Sequence, residues 1–319
     1  MEFKTYEITK DRHFNQVEAE SISTTWLTDD VHRWIDLTEF QQDELEELLA
    51  PLNLRQEVLD ACLVPHSLPS VIILEHSLFL SIPVQSDIDN LIYLTVLCGP
   101  TILITIQHSD IIYLDEFASF YRKDRMLLAA NTTGLLFELI HVPLKMLIPR
   151  FFSLRNEVAN MSQTLETKPD EVEIDDIMNL SQDASRIEII FQDQRFCLSE
   201  LESGRSETLS LTTIRGGLHQ LIERIDRGLG TLARLQERIG DLHQFRLHSI
   251  EEATNRRLNM LAMLSAIYMP PTLIAAIFGM NFQNIPAIGW RYGYLAVMGC
   301  MITLVAGQLL YFRSRGWFK

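Results

Sequence analysis

Two uncharged apolar runs dominate the C-terminal part of the chain. Residues 258–278 and 292–312 contain no Asp, Glu, Lys or Arg. At 1.5 Å per helical residue, each run is long enough to span the hydrocarbon core of a bilayer, which is about 30 Å thick. Because backbone polar groups in lipid must be satisfied within the segment itself, both runs are predicted to be transmembrane helices.

Upstream of these runs, apolar residues recur at intervals of three and four. This spacing predicts three long helices, over 132–166, over 171–202, and from Gly216-Gly217 onward into the first apolar run. A single helix over 218–281 would be about 95 Å long, so a stalk of about 60 Å should project into the cytoplasm. Gly228, Gly230 and Gly240 each lower its intrinsic stability by about 1 kcal/mol relative to Ala, so packing must hold it.

The N-terminal part alternates short β-type runs with short helices. The predicted strands are 24–27, 32–37, 70–75, 78–84, 90–97 and 101–107, and the predicted helices are 42–50, 55–62 and 111–125. Breaks at Glu75-His76 and Cys98-Gly99-Pro100 are typical of hairpins, so a largely antiparallel sheet is expected. The strands cluster and do not alternate regularly with helices, which indicates an α+β fold.

These patterns divide the chain into three predicted regions. Residues 1–130 form a cytoplasmic α+β domain, 131–254 a cytoplasmic helical stalk region, and 255–319 a transmembrane hairpin. Within the hairpin, the helices cover 258–278 and 292–312, a periplasmic loop covers 279–291, and a cytoplasmic tail covers 313–319.

Acidic and basic residues are distributed unevenly. Residues 255–319 hold six basic and no acidic residues, which leaves 21 basic against 42 acidic residues, a net charge of −21, in residues 1–254. Such a field repels nucleic acid and attracts cations. Cations are therefore expected partners, in addition to the membrane lipid around the two apolar helices, although an acidic surface also serves solubility alone.

Basic residues bracket the hairpin. They are Arg256, Arg257, Arg313, Arg315 and Lys319, whereas Arg291 alone lies in the intervening loop. By the positive-inside rule, both termini should face the cytoplasm. No cleaved signal peptide is expected, because a basic flank and an apolar stretch are missing at the N-terminus. The four cysteines are scattered and are predicted to be small buried hydrophobic residues.

A pore would need several copies of the chain, because two helices cannot enclose a hydrated path. The first apolar helix is the better candidate, since small, hydroxylic or flexible residues follow one of its faces. The predicted lining residues are Asn255, Leu258, Leu261, Ala262, Ser265, Met269, Thr272 and Ala276. Leu258, Leu261 and Met269 could form apolar constrictions. The alternative is that such residues only pack helix against helix.

Two consecutive prolines interrupt the backbone hydrogen bonds of this helix. Pro270 and Pro271 lack an N–H, which frees the carbonyls of Ala266 and Ile267 inside the membrane. Water, a neighbouring helix or a Ser/Thr side chain must satisfy these carbonyls. A water-filled lumen would do so, which favours the pore.

The order of motifs in this region resembles one known family. Tyr268-Met269-Pro270-Pro271-Thr272 precedes Gly279-Met280-Asn281-Phe282, and a second apolar helix and the tail Trp317-Phe318-Lys319 follow. This combination resembles the CorA family of divalent-cation transporters, including its ZntB-like branch. The order of sheet domain, long helices and hairpin extends the resemblance over essentially the whole chain. It implies a funnel-shaped homopentamer in a bacterial-type cytoplasmic (inner) membrane.

The resemblance also implies roles for individual residues. Asn281, with Gly279 and Met280 shaping its turn, would form the outer selectivity ring and hold the hydrated ion. Mg²⁺ loses its waters reluctantly, so amide and carbonyl oxygens can bind the ion without replacing its first hydration shell. Thr272 and Met269 match the next rings inward, and Asn255, Leu258 and Leu261 match the inner gate.

Three functions follow as alternatives. The first is transport of Mg²⁺, with Co²⁺ and Ni²⁺ as further cargo. The second is zinc transport of the ZntB type, coupled to protons, because the loop 282–291 has no carboxylate and contains Arg291. The third is a membrane-anchored oligomeric sensor or scaffold. Mg²⁺ or Zn²⁺ could also act as a regulatory ligand between acidic residues of adjacent subunits, at positions that the sequence does not specify.

The sequence gives no indication of an enzyme. It has no Gly-rich phosphate loop outside helical stretches, no nucleophile elbow, no HExxH and no paired Cys motif. No organic cofactor is expected.

Overall fold

A computed structural model describes residues 2–18, 21–85, 91–109, 111–123, 125–206, 209–280 and 290–315. The chain divides into two compact units, Met1–His243 and Gln244–Lys319.

The first unit contains all seven described strands. They are β1 (Glu2–Ile8), β2 (Phe14–Val17), β3 (Arg33–Thr38), β4 (Ser70–Ile73), β5 (Leu78–Gln85), β6 (Leu91–Cys98) and β7 (Ile102–Ile106). The α-helices of the described residues are α1 (Gln42–Leu49), α2 (Gln56–Leu63), α3 (Ile112–Lys123), α4 (Thr132–Thr167), α5 (Ile174–Ser203), α6 (Leu211–Phe278) and α7 (Gly293–Ser314).

The strands form one sheet in the order β2-β1-β3-β7-β6-β5-β4. All neighbouring pairs are antiparallel except β3 and β7, which run parallel with Ile35 opposite Ile104. The predicted largely antiparallel sheet and α+β class are confirmed. One predicted strand is wrong, because Thr24–Leu27 is a short 3₁₀ helix in which the Ser23 hydroxyl accepts a hydrogen bond from the Thr25 N–H. Strands β1 and β2 were not predicted.

Helices cover both faces of the sheet. Trp34 points to the face covered by α3, α4 and α5, where its ring stacks on Tyr6 at a centroid distance of 4.9 Å and meets Phe117 edge-on at 5.5 Å. Its neighbour Ile35 points to the opposite face and packs in a core with residues of α1 and α2. This alternation buries both faces of the central strands.

One carboxyl group is buried on the Trp34 face. Asp36 accepts hydrogen bonds from the Thr105 hydroxyl at 2.6 Å and from Gln107 Nε2 at 2.9 and 2.8 Å. Gln107 in turn accepts the Ile111 N–H at 3.1 Å, immediately before α3. Burial raises the pKa of the Asp36 carboxyl to about 6, although the hydrogen bonds from Thr105 and Gln107 oppose the shift.

The three predicted long helices are confirmed as α4, α5 and α6. Helix α6 has 68 residues and no break at Pro270 or Pro271. Among the cysteines, Cys62, Cys98 and Cys197 are buried as predicted, whereas Cys300 on α7 is exposed.

Candidate functional site

Two helices of the described chain are long and apolar enough to cross a membrane. They are the C-terminal part of α6 and the whole of α7. Aromatic and basic residues flank the second of them: Trp290 and Tyr292 precede α7, and the Arg315 guanidinium lies 5.7 Å from the centre of the Tyr311 ring at its end. Such residues are typical of the interface between lipid and water.

The apolar part of α6 has two unlike faces. Met263 is buried, and Ile267, Ile274 and Phe278 are half-buried at intervals that place them on one side of the helix. Ser265, Met269, Thr272 and Ala276 are all exposed, and each lies two positions from a member of the first set. Two helical positions are about 200° apart, so the predicted lining residues occupy the opposite side.

The remaining predicted lining residues are also exposed. They are Asn255, Leu258, Leu261 and Ala262. Leu258, Leu261 and Met269 are among the more exposed large side chains, at 56%, 60% and 73%. The predicted lining residues therefore lie on one side of α6, and within the single chain no other described element covers them.

The Thr272 hydroxyl has a defined orientation. Its Oγ1 donates a hydrogen bond to the Tyr268 carbonyl at 2.7 Å, one turn earlier in the helix. The hydroxyl proton is thereby committed to the backbone, so the oxygen lone pairs remain available as acceptors. An acceptor of this kind suits water molecules bound to a cation.

One of the carbonyls freed by the prolines is satisfied by the other membrane helix. Gln308 Nε2 on α7 donates a hydrogen bond of 3.0 Å to the Ala266 carbonyl, whose helical donor is missing because residue 270 is proline. A neighbouring helix was among the predicted solutions. Gln308 was not singled out from the sequence. The feature that could have identified it is its polar amide side chain within an otherwise apolar run.

The end of α6 reaches the predicted selectivity segment. The Gly279 N–H donates to the Ala275 carbonyl at 2.9 Å, and the Met280 N–H donates to the Ile277 carbonyl at 3.3 Å. A Cβ at residue 279 would lie 3.3 Å from the Ala275 carbonyl oxygen, which is a close contact. Asn281, the predicted ring residue, lies outside the described residues.

Acidic residues of the described segments form no group of three or more metal ligands. Glu252 pairs along α6 with Arg256 at 3.7 Å and also with His248 at 3.4 Å. A regulatory metal between subunits remains a prediction, because carboxylates of two copies would have to combine.

Known proteins share this architecture. The solved structure described as the complete structure of the CorA magnesium transporter from Methanocaldococcus jannaschii superposes with a TM-score of 0.81 at 18% identity, covering 99% of this chain and 98% of that one. The ZntB cytoplasmic domain from Vibrio parahaemolyticus gives a TM-score of 0.63 at 14% identity, over 78% of this chain and 98% of the domain. At these identities the likeness shows the fold alone.

Relatives are also found by sequence. The magnesium transport protein CorA of Haemophilus ducreyi is 25% identical over 219 residues, which are 67% of this chain and 68% of the relative. For another of the first curated relatives, the chain matches only 36% of the relative's own length. A family model described as "CorA-like Mg2+ transporter protein" matches residues 29–314. Because this match covers most of the sequence, the chain belongs to the CorA-like Mg²⁺ transporter family, whose members are ion transporters and not enzymes.

Proposed function

We propose that this protein transports divalent metal ions across the cytoplasmic membrane through a pore formed by several copies of the chain. The observation that carries the proposal is the uncharged, exposed face of α6 that bears Ser265, Met269, Thr272 and Ala276, opposite its less exposed face. Small and hydroxylic residues gathered on one exposed side of a membrane helix favour contact with other helices or with water. A hydrated axis surrounded by identical helices provides both.

The proposed assembly is a homopentamer with the α6 segments inside and the α7 helices outside. The M. jannaschii CorA likeness over nearly the whole chain supports this arrangement as a family architecture. The basic residues that bracket the hairpin support a cytoplasmic position for both termini. Mass measurement of the purified, detergent-solubilised protein should give five times 36.8 kDa after correction for bound detergent.

Selectivity in this proposal depends on the Gly279-Met280-Asn281 segment at the outer mouth. A ring of Asn281 amides would accept hydrogen bonds from the waters of a hydrated ion without the strong binding of a carboxylate ring. Mg²⁺ is the proposed main cargo, because the H. ducreyi relative carries the name of a magnesium transport protein. Co²⁺ and Ni²⁺ are proposed as further ions.

Ion flux into proteoliposomes tests the proposal. Wild-type protein should carry Mg²⁺ down its gradient, and Asn281→Ala should abolish this flux while leaving the oligomer mass unchanged. Asn284→Ala is the matched control, since it removes an amide three residues further along the same loop. Equal flux through Asn281→Ala and wild type would contradict the role of Asn281.

Zinc transport is the second candidate. The loop 282–291 lacks carboxylates and contains Arg291, so it concentrates Mg²⁺ weakly, and the ZntB cytoplasmic domain shares the fold of 78% of this chain. The flux of Mg²⁺, Co²⁺, Ni²⁺ and Zn²⁺ should therefore be compared with and without a pH gradient. Zinc flux that rises with the gradient would favour this candidate. A protein that carries none of the four ions would instead be a membrane-anchored scaffold or sensor.

A further inference from the structure

A cavity of about 610 Å³ lies between α4, α5 and α6 within the first unit. Its wall is mainly apolar, with Leu144, Ile148, Phe151 and Phe152 from α4 and Phe191 from α5. Ile148 and Phe152 remain 40% and 49% exposed, so the apolar wall is accessible to a ligand from solvent. Its volume lies in the range of small-molecule sites, roughly 300–1,000 Å³.

The shape of the cavity depends on a glycine in α6. A Cβ added at Gly228 would lie 3.0 Å from Cε2 of Phe191, so the glycine lets this ring lie closer to the helix than a residue with a side chain would. Phe151 meets the same ring at a centroid distance of 6.5 Å. The aromatic rings of Phe151 and Phe191 thus form one side of the cavity, which we call its floor, and Phe191 packs against the backbone of α6 at Gly228.

Three cationic side chains line the same cavity. They are Lys145 on α4 and Arg224 and Arg227, one turn apart, on α6. None of the three has a carboxylate within 4.0 Å among the described residues. Asp226, their sequence neighbour, pairs instead with Arg195.

The chain as a whole is acidic, and some of its basic residues are paired with carboxylates. Acidic residues outnumber basic ones by 42 to 27, and the basic residues Lys4, Arg33, Arg150, Lys168, Arg195 and Arg256 each contact a carboxylate. Three cations around an aromatic floor therefore form a local site of positive charge. The complementary ligand has an apolar body and an anionic head.

We infer that this cavity binds a small amphipathic anion, with an aromatic or otherwise apolar body on Phe151, Phe152 and Phe191 and a sulfonate, carboxylate or phosphate head between Lys145, Arg224 and Arg227. Arginine is suited to this role, because its planar group donates paired hydrogen bonds to such heads. The site is independent of the proposed pore, since all of its residues belong to the first unit.

Calorimetric titration of the full-length protein with naphthalene-2-sulfonate tests the inference. The anion should bind saturably, and the neutral analogue naphthalene-2-methanol should bind more weakly. The variant Arg224→Gln/Arg227→Gln should weaken anion binding about tenfold and leave binding of the neutral analogue unchanged. Arg238→Gln, an exposed arginine on the same helix outside the cavity, is the matched control and should bind like wild type.

A second variant separates the cavity from surface charge. Ile148→Trp replaces an aliphatic side chain of the cavity wall by a bulky indole and should reduce binding of both naphthalene compounds. Absence of saturable anion binding, or equal anion affinity of the double variant and the Arg238→Gln control, would overturn the inference. A further contradicting outcome combines no binding of the sulfonate with failure of the double variant to assemble. That outcome would indicate that a second copy of the chain occupies the cavity.

Discussion

Gln308 on α7 donates its side-chain N–H to the Ala266 carbonyl on α6 across 3.0 Å. The two residues are 42 positions apart, and the carbonyl is the one that Pro270 deprives of its helical donor. The hydrogen bond that the Ala266 carbonyl lacks within α6 is thus supplied by a side chain of α7. The hydrogen bond links the proposed inner and outer helices at a position where the inner one lacks a backbone hydrogen bond.

Replacement of Gln308 by Leu should destabilise the folded protein, because the Ala266 carbonyl would lose its donor in lipid. Hydrogen bonds between membrane helices contribute about 0.6 to 1.7 kcal/mol, so the melting temperature of the detergent-solubilised protein should fall by a few degrees. Pro270→Ala restores a backbone N–H at residue 270 and should remove most of this sensitivity. Strictly additive effects of the two substitutions would show that the carbonyl is not what couples them.

Thr272 and Thr303 form a matched pair for the pore. Each hydroxyl donates to the carbonyl four residues earlier at 2.7 Å, Thr272 on α6 and Thr303 on α7. Replacement of either by Val should therefore change stability by a similar, small amount. Only Thr272→Val should lower ion flux in proteoliposomes, by about fivefold, because it removes a ring of oxygens from the proposed path. An equal loss in the two variants would contradict the placement of Thr272.

The glycines of α6 should respond differently to alanine. A Cβ at Gly230 or Gly240 would meet no atom within 4 Å, so each substitution should stabilise the helix by about 1 kcal/mol. A Cβ at Gly217 would lie 2.6 Å from the buried ring of Phe137, so Gly217→Ala should lower stability. Thermal unfolding of the three variants is the measurement. Destabilisation by Gly230→Ala or Gly240→Ala would indicate that another copy of the chain packs at that position.

The buried Asp36 carboxyl should make stability depend on pH. Its pKa is raised from 3.8 to about 6, so the folded state holds this proton more tightly than the unfolded state. Its contribution to stability is therefore largest below pH 3.8 and is lost as the pH rises to about 6, by about 3 kcal/mol. Above that pH the contribution is constant.

Asp36→Asn should remove this slope between pH 4 and 6, measured as the difference in melting temperature from wild type. The slope is the diagnostic quantity, because the new amide would face the Gln107 donor and cost stability at every pH. Asp60→Asn, at an exposed carboxylate of α2, is the control and should keep the wild-type slope. A slope unchanged in Asp36→Asn would assign the pH dependence to other groups.

Local patterns predicted the helices and most of the sheet. The apolar stripe of α6 and the β-branched runs of β5, β6 and β7 are strong signals. The observed bounds of the three strands differ from the predicted ones by one residue at most, whereas α6 begins at Leu211, before the predicted start at Gly216-Gly217. Strand β1 was missed because Lys4 and Glu7 interrupt its apolar pattern. Thr24–Leu27 was misassigned, since its threonines favour strands while the Ser23 hydroxyl favours a turn.

Contacts between segments that are distant in the sequence could not be predicted from such local patterns. The parallel pairing of β3 with β7 joins residues nearly seventy positions apart, as in Trp34 opposite Leu103. The Gln308–Ala266 hydrogen bond and the cavity between α4, α5 and α6 likewise depend on how helices meet. By contrast, the exposed face of α6 could be predicted, because it is a property of one helix and its period.

Cysteine accessibility on α6 tests the central claim most directly. In a Cys300→Ser background the remaining cysteines are buried, and burial raises the pKa of the Cys62 and Cys197 thiols to about 12, which makes them unreactive. Ser265→Cys and Ile267→Cys place single thiols on opposite sides of the helix. A membrane-impermeant cationic methanethiosulfonate should modify residue 265 in proteoliposomes and block ion flux, while residue 267 stays unmodified. Modification of residue 267 with residue 265 protected, or block of flux from both positions alike, would contradict a pore lined by this face.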